Sequence, residues 1–255
     1  MTPIAEFLTE NYKKRSMGLV CDNSPEIRRV YTAVFPSNDV MQSILDKGEK
    51  EVMLFVHHPS VWDITLGGFQ QMDRSLLEKF KECEISVYNL HVPLDNYGSY
   101  STSVTLAKAM GLTELRPFLE YYGSLAAVFG NTESTTVQEM SERFTAVIGH
   151  GTSLYQYGTD RIKNGIVAVA AGGGNIVEVH EEIAREGINL LITGITVKNP
   201  FTMKAHDFAK EKRINILGGT HYTTEKPACQ AMCNYFRKLG LPSEFIAGTP
   251  GLEDL

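Results

Sequence analysis

The chain has 255 residues, a formal net charge of −6 at pH 7 and 21% charged residues. A chain of this length buries roughly three quarters of its unfolded surface, so its core needs no disulfides. Interspersed charges with a negative balance disfavour a nonspecific nucleic-acid-binding protein and suit cation binding. No stretch reaches the roughly 18 apolar residues of a membrane-spanning helix, and residues 1–20 lack a signal-peptide core. We expect a soluble, cytoplasmic protein.

In chain order, helix and strand patterns alternate. Thr2 and Pro3 before Ile4 predict a short opening helix, because proline is favoured in a first helical turn. Apolar segments predict strands at residues 27–34, 52–56, 85–90, 125–129, 166–170, 189–193 and 214–217. Periodic segments predict helices at residues 38–47, 74–83, 101–110, 135–147, 176–185, 202–212 and 227–239. This alternation is typical of an α/β fold with largely parallel strands.

A break in the pattern follows Met110 and Gly111. Helix stop signals end there, and an aromatic, strand-like block at residues 118–129 begins. The sequence contains no Pro- or Ser-rich linker, so a second domain would pack directly against the first.

The four cysteines are Cys21, Cys83, Cys229 and Cys233. The spacing of Cys229 and Cys233 places both on one helix face without the C-x-x-C geometry of zinc ribbons or redox pairs. We therefore predict reduced, mostly packed thiols.

Two adjacent histidines, His57 and His58, end the apolar segment 52–56 and are followed by Pro59. Neighbouring residues on a strand point to opposite sides, so the pair can present two ring nitrogens to different sides of one cavity. On residue statistics alone, one packed histidine beside a surface one is the commoner arrangement. Polar residues at two further strand ends favour the alternative, a pair of metal ligands.

The first of these strand ends is at segment 85–90, which leads into His91 and Asp95. Open α/β sheets place ligand sites at the carboxyl ends of their strands. His91 is a candidate proton carrier or orienting group, and a histidine hydrogen-bonded in a turn is the alternative. Asp95 is a candidate metal ligand.

The second strand end is at segment 214–217, which leads through two glycines into His221 and Glu225. Pro227 would clash with a helical carbonyl four residues earlier. We therefore predict that the helix starts at residue 223 or 224 and that His221 lies in the loop before it.

Together the strand ends supply imidazole nitrogens and carboxylate oxygens, from His57, His58, Asp95, His221 and Glu225. This mixture suits divalent zinc, manganese, iron or cobalt better than calcium or magnesium. Two ions need roughly eight donor positions, which these side chains fill only with a bridging carboxylate and with water. Water in the shell implies an open site for catalysis or metal transfer, because structural sites are usually closed by protein ligands.

Three motifs occur in order: His57-His58-Pro59, His91-x-x-Leu94-Asp95 and Gly219-x-His221-Tyr222-x-Thr224-Glu225. They resemble the motifs of the dinuclear-metal family known as GTP cyclohydrolase type 2-like, or Nif3-like, proteins. The resemblance spans essentially the whole chain and is to the short form of the family.

This resemblance implies that the five donors named above bind two metal ions. It also implies two interlocked, similar α/β domains with the metal site at their interface, at residues 1–112 with 218–255 and at residues 113–217. By the same resemblance we expect a homo-oligomer, a ring-shaped hexamer. The chain departs from the family at Val92, where threonine is usual, and at Thr220, where glycine is usual; the candidate ligands are retained.

Several weaker features also have interpretations. The loop at Gly172–Gly174 lies between a predicted strand and helix, where its N–H groups could meet a phosphate, but it lacks the G-x-G-x-x-G pattern and a tight turn is favoured. His180 and His206 are expected on solvated helix faces, and His150 in a loop.

Two residues shortly after the histidine pair also concern the site. Trp62 is expected to pack near the cavity, and Asp63 is a candidate acceptor for a ligand imidazole.

Two functional hypotheses of different classes follow. The first is a metal-dependent hydrolase that uses a metal-bridging water, with His91 and Glu225 as candidate catalytic residues. The resemblance implies that its small-molecule substrate is a nucleotide or a related compound and that a C–N bond is cleaved. The second is a non-catalytic protein that stores, delivers or senses metal, or an oligomeric scaffold. A purely structural metal site is disfavoured by the ligand count.

Overall fold

The computed structural model describes residues 3–255. The chain forms two compact units. One contains the described residues up to Leu94 together with Cys229–Thr249, and the other contains Asp95–Ala228 and Pro250–Leu255. The expected domain bounds, 1–112 with 218–255 and 113–217, stay a prediction. No helix among the described residues has both the length and the apolar character that crossing a bilayer requires.

The helices and strands have the following bounds. The helices are α1 (Glu10–Arg15), α2 (Asn38–Leu45), α3 (Arg74–Glu82), α4 (Val92–Asp95), α5 (Thr102–Ala109), α6 (Val137–Ile148), α7 (Val177–Arg185), α8 (Met203–Lys212) and α9 (His221–Lys238). The strands are β1 (Gly18–Cys21), β2 (Arg29–Ala33), β3 (Val52–Val56), β4 (Val61–Asp63), β5 (Gly68–Gln70), β6 (Ile85–Asn89), β7 (Thr113–Tyr121), β8 (Ser124–Asn131), β9 (Ser153–Tyr155), β10 (Ile166–Ala170), β11 (Leu190–Thr193), β12 (Asn215–Gly218) and β13 (Ser243–Phe245).

The start of the chain differs in detail from the prediction of an opening helix. Thr2, the predicted cap, lies outside the described residues. A short 3₁₀ turn at Ala5–Phe7 comes first, and α1 follows at Glu10–Arg15. The side chain of Thr9 caps α1 by accepting a hydrogen bond from the backbone N–H of Tyr12.

The sheet of the first unit has the strand order β1-β6-β3-β2-β13. Only β1 is antiparallel to its neighbour, so this sheet confirms the predicted parallel pairing. Apolar residues of α2 and α3, such as Met41 and Phe80, bury one face of the sheet together with Leu54. On β3 the next side chain, Phe55, makes an edge contact with Phe236 of α9, with ring centroids 5.3 Å apart. Because successive residues of β3 point to opposite sides of the sheet, both faces of this strand are buried.

The sheet of the second unit has the strand order β7-β8-β10-β11-β12-β9. Only the β10–β11 and β11–β12 pairs are parallel, so the prediction of largely parallel pairing is wrong for this sheet. The reason is the tight turn at Tyr122 and Gly123, both with positive φ, which joins β7 and β8 as an antiparallel hairpin.

Both faces of this second sheet are covered by helices. Val169 packs with Leu106 of α5 and Phe144 of α6 on one face, whereas Ala168 packs with Ile183 of α7 on the other. An α/β fold with central sheets flanked by helices is thus confirmed.

The cysteines are free thiols, as predicted. Burial raises the pKa of Cys21 to about 12, so this thiol stays protonated and inert near neutral pH.

Two histidines expected on helix surfaces are buried in the second unit. The Nε2 atom of His180 lies 2.9 Å from Oδ1 of Asn175. Nε2 of His206 donates to the carbonyl of Thr196 over 2.8 Å, and its Nδ1 lies 3.0 Å from the hydroxyl of Tyr157. The sequence prediction was wrong because it weighed the exposed glutamates around His180 and not the position of His180 on the buried stripe of α7.

Burial lowers the pKa of His180 to about 4 from the ordinary 6.5. Because the unfolded chain takes up this proton first, the contribution of His180 to stability is complete above pH 6.5 and is lost as the pH falls towards 4. We predict that the His180 contribution to the free energy of unfolding falls by about 3 kcal/mol through this window, measured as the difference between wild type and His180→Gln in urea unfolding at pH 7.5 and pH 4.5. In His180→Gln the free energy of unfolding should drop less, and an equal drop in both proteins would contradict this assignment.

Candidate metal centre

The histidine pair lies at the carboxyl end of the first sheet. β3 and β6 are parallel neighbours in which Val56 pairs with Asn89, so their ends are side by side. His57 and His58 directly follow β3, and His91 follows β6 after one residue. Two of the three strand ends predicted to carry ligands therefore meet at one edge of this sheet, and the third, at β12, belongs to the other sheet.

His57, His58 and His91 form a compact group, called the histidine set below. Their donor atoms lie within 4.8 Å of one another. The ring centroids are 4.4 Å apart for His57 and His58 and 4.5 Å apart for His58 and His91. His57 is fully buried and His58 is 3% exposed. The sequence predicted His91 as a proton carrier or orienting group, or as a hydrogen-bonded turn histidine, and its position here makes it a candidate donor as well.

The backbone fixes the ring orientation of His57. Its Nδ1 lies 3.0 Å from the carbonyl oxygen of Leu90, and a carbonyl only accepts, so Nδ1 carries the proton. The lone pair is then on Nε2, the tautomer that suits metal ligation. The amide of Asn89 in turn donates to the carbonyl of His57 over 2.9 Å.

Aromatic rings of the first unit surround His58. Its ring centroid lies 5.2 Å from that of Phe35 and 4.9 Å from that of Phe69. Trp62 meets Phe69 edge to face with centroids 5.2 Å apart, in the hairpin of β4 and β5. Trp62 thus packs near the histidines, as predicted. It contacts Phe69, and Phe69 in turn contacts His58.

Asp63 has a different role from the one predicted. Its carboxylate accepts hydrogen bonds from the backbone N–H and the hydroxyl of Thr65, at 2.9 and 2.6 Å, and from the N–H of Leu66. The Thr65 hydroxyl bond contributes most to holding the pKa of Asp63 below its ordinary value. Asp63 therefore stabilises the turn of the hairpin and does not orient a ligand imidazole.

The second candidate pair, His221 and Glu225, lies in the first turns of α9. The sequence placed His221 in a loop, but α9 begins at His221 and contains Pro227. Thr220 explains the early start, because its hydroxyl accepts the N–H of Thr223 over 3.1 Å and so caps the helix. Thr220 therefore acts as a helix cap at the position where the family usually has glycine.

His221 and Glu225, called the His–Glu pair below, lie on one face of α9. The helical spacing of four residues brings Nε2 of His221 to 3.1 Å from Oε1 of Glu225. Both residues are almost completely buried, with 5% and 4% exposure. A buried carboxylate needs a cation or several hydrogen bonds, so the pair has the character of a metal-binding element.

The loop at Gly172–Gly174 packs against this pair. A Cβ on Gly172 would lie 2.3 Å from Oε1 of Glu225 and 3.1 Å from Nε2 of His221. The N–H of Gly172 donates to the hydroxyl of Thr224 over 2.9 Å, and its carbonyl accepts from Gly194 over 3.0 Å. The loop is a turn that forms one wall around the His–Glu pair. Sequence reasoning weighed only a phosphate loop and a plain turn, and missed this contact.

Asp95 lies at the end of α4 and is half-buried. Its Oδ1 accepts the hydroxyl of Thr102 over 2.8 Å, and its carbonyl accepts the hydroxyl of Ser101 over 3.0 Å. Within the described part of the chain, Asp95 is not among the groups of three donors that lie within 4.8 Å of one another. Its role as a ligand stays a prediction.

The donor chemistry fits a divalent transition metal. Imidazole nitrogens dominate the histidine set, and the His–Glu pair adds a carboxylate, which is the mixture that zinc, manganese, iron and cobalt prefer. Gly172 supports the same interpretation. Because it has no side chain, it leaves space beside Glu225 and His221 that any larger residue would fill.

Comparison with known proteins identifies the family of the chain. The profile of Duf34/NIF3 (NGG1p interacting factor 3) matches residues 4–248. The chain belongs to the Duf34/NIF3 family. This confirms the family resemblance that the three motifs indicated.

Among its relatives, a protein named "GTP cyclohydrolase 1 type 2 homolog" from Pyrococcus horikoshii is 27% identical over 94% of this chain and 92% of its own length. A solved structure described as "Structural genomics, protein ybgI, unknown function" has a TM-score of 0.73 with 20% identity, over 95% of this chain and 96% of that one. TTHA1606 from Thermus thermophilus has a TM-score of 0.71 with 21% identity, over 95% and 93%. These structures share the fold with this Duf34/NIF3 protein.

A side chain at Gly172 should weaken metal binding, because this residue forms the wall beside the His–Glu pair. Gly172→Ala places a methyl group against Glu225 and also imposes a side chain at a φ of +65°. We expect metal affinity to fall about 10-fold or more, as for other changes beside metal ligands, measured by competition with a chelator.

Gly187→Ala is the matched control. Its φ of +68° carries the same backbone strain, but nothing lies within 4 Å of the added Cβ. Backbone strain should cost both variants about 1–2 kcal/mol of stability, the overlap with Glu225 should add to this loss in Gly172→Ala, and only Gly172→Ala should lose metal. Equal metal affinities in the two variants would show that the contact with Glu225 has no role in binding.

Proposed function

We propose that this Duf34/NIF3 protein is a metal-dependent hydrolase that binds two divalent transition-metal ions. The proposed ligands are His57, His58, Asp95, His221 and Glu225. The observation that carries the proposal is the histidine set, three imidazoles with donor atoms within 4.8 Å. Several imidazole nitrogens brought together at the ends of neighbouring strands form a donor set that suits a transition metal.

The residues of the site have distinct proposed roles. Bound ions of this class supply Lewis-acid activation of water near neutral pH. His57 presents Nε2 because Leu90 holds its Nδ1 proton. Glu225 and Asp95 would hold the ions and offset part of their positive charge. His91 is partly exposed beside the two buried histidines, which suits a group that carries a proton between the site and solvent.

The proposed substrate is a nucleotide or a related small molecule with a hydrolysable C–N bond. Support comes from the name of the Pyrococcus horikoshii relative, "GTP cyclohydrolase 1 type 2 homolog". The reaction that this name suggests opens the purine ring of GTP with release of formate. The ring-shaped homohexamer expected from the resemblance is also part of this proposal.

A second candidate function is metal storage, delivery or sensing without turnover. The near-complete burial of His57, His58, His221 and Glu225 favours it, because buried donors retain an ion better than they admit a substrate. Rapid transfer of metal to an acceptor protein, together with no turnover of nucleotides, phosphoesters or amides, would support this function over hydrolysis.

Metal content is the first test of the proposed site. Freshly purified protein should contain about two transition-metal ions per chain, measured by elemental analysis. Asp95→Asn and Glu225→Gln should each lower this content. The control is Glu211→Gln, an exposed carboxylate on α8, which should leave it unchanged. Protein that holds no metal even after reconstitution would overturn the proposed function.

Turnover is the second test. Metal-loaded protein should release formate from GTP, and Glu225→Gln should reduce the rate by about 100-fold or more, as expected for loss of a group that acts in the reaction. Formate is measured by a coupled dehydrogenase assay, with Glu211→Gln as the control. Identical rates for the wild type and Glu225→Gln would exclude hydrolysis at this site and favour the second candidate function.

A further inference from the structure

The end of the described chain folds back onto the start of the ligand-bearing helix. A 3₁₀ turn at Leu252–Asp254 buries the side chain of Asp254 to 2% exposure, whereas its neighbour Glu253 is exposed. These residues lie beyond residue 248, the last that the family profile matches. The family resemblance therefore gives Asp254 no role.

Asp254 joins two segments of the second unit. Its Oδ2 accepts the backbone N–H of His221 over 2.8 Å. Its own carbonyl accepts the N–H groups of Thr196 and Val197, over 2.7 and 2.9 Å. Because Thr196 and Val197 follow β11, Asp254 ties the loop after this strand to the first residue of α9 through three hydrogen bonds.

The position of the carboxylate strengthens its bond to His221. The first N–H groups of a helix have no partner within the helix, and the aligned peptide dipoles place partial positive charge there. A buried carboxylate at the start of an 18-residue helix meets both requirements. Thr220 caps the N–H of Thr223, so Asp254 and Thr220 satisfy different donors of the same first turn.

This arrangement matters for the His–Glu pair because His221 is the first residue of α9. A first turn that frays moves the imidazole of His221 away from Glu225, which lies one turn further into the helix. Keeping the two donors 3.1 Å apart therefore requires the helix start itself to be fixed.

We propose that Asp254 is a positioning residue for the metal centre, which fixes the backbone of His221 so that its imidazole stays in place to ligate metal. The effect on metal ligation rests on the proposed function, whereas the fixing of the His221 backbone follows from the contacts of Asp254 alone. Asp254 is not assigned any contact with the ion.

The test compares three variants of the full chain. Asp254→Ala removes the acceptor, Asp254→Asn keeps an oxygen acceptor without the charge, and Glu253→Ala is the matched control at an exposed neighbouring carboxylate. Two quantities are measured: amide hydrogen exchange across the first turn of α9 in metal-free protein, and release of cobalt to a chelator, followed by its visible absorption spectrum.

In Asp254→Ala the amide of His221 should exchange about 10-fold faster, and cobalt should be released about 10-fold faster with an altered spectrum. Asp254→Asn should restore most of both quantities, and Glu253→Ala should match the wild type. If Asp254→Ala behaves like Glu253→Ala in both measurements, the proposal is wrong.

Two further outcomes are decisive. If Asp254→Ala does not fold, the wild type still tests the proposal, because its His221 amide should be protected and a freely exchanging amide would overturn it. If the wild type binds no metal, the proposed function fails, whereas exchange of the His221 amide still decides whether Asp254 fixes the helix start.

Discussion

The candidate centre depends on one constraint, which is that imidazole and carboxylate groups are buried where water cannot solvate them. His57 and Glu225 are 0% and 4% exposed, and each such group needs a fixed polar partner. A backbone carbonyl meets this need for His57, and the imidazole of His221 meets it for Glu225. The carbonyl of Leu90 holds Nδ1 of His57, and the capped start of α9 holds His221. Rigid orientation of the donors is therefore a consequence of their burial.

The same constraint explains why the wall beside the His–Glu pair is a glycine. Gly172 brings the backbone so close to Glu225 that any Cβ would overlap the carboxylate. Its N–H and carbonyl are both bonded, to Thr224 and to Gly194, so the loop itself has little freedom to retreat. Tight backbone packing and fixed ligand geometry are thus two aspects of one arrangement in this unit.

Much of this arrangement could be predicted from the sequence where the signal is local. The strand Val52–Val56 has the predicted bounds because a continuous apolar run ended by His57 and His58 has no competing interpretation. The start of α9 was predicted too late, because Pro227 was given more weight than the local cap at Thr220, and because the acceptor for the N–H of His221 is Asp254, 33 residues away. His180 was misplaced for a different reason, because the glutamates around it were given more weight than its position on the buried stripe of α7.

The candidate site depends on two properties, the identity of its donor residues and the geometry in which they are held. Donor identity is local, since a histidine or a glutamate at a strand end can be recognised from its neighbours. Donor geometry is non-local, because it is set by carbonyls, caps and close backbone contacts contributed by distant segments. The family profile covers residues 4–248 and so includes every candidate donor, but it stops before Asp254. The identity of the candidate donors and the firmness with which the first turn of α9 is held are therefore set by different parts of this chain.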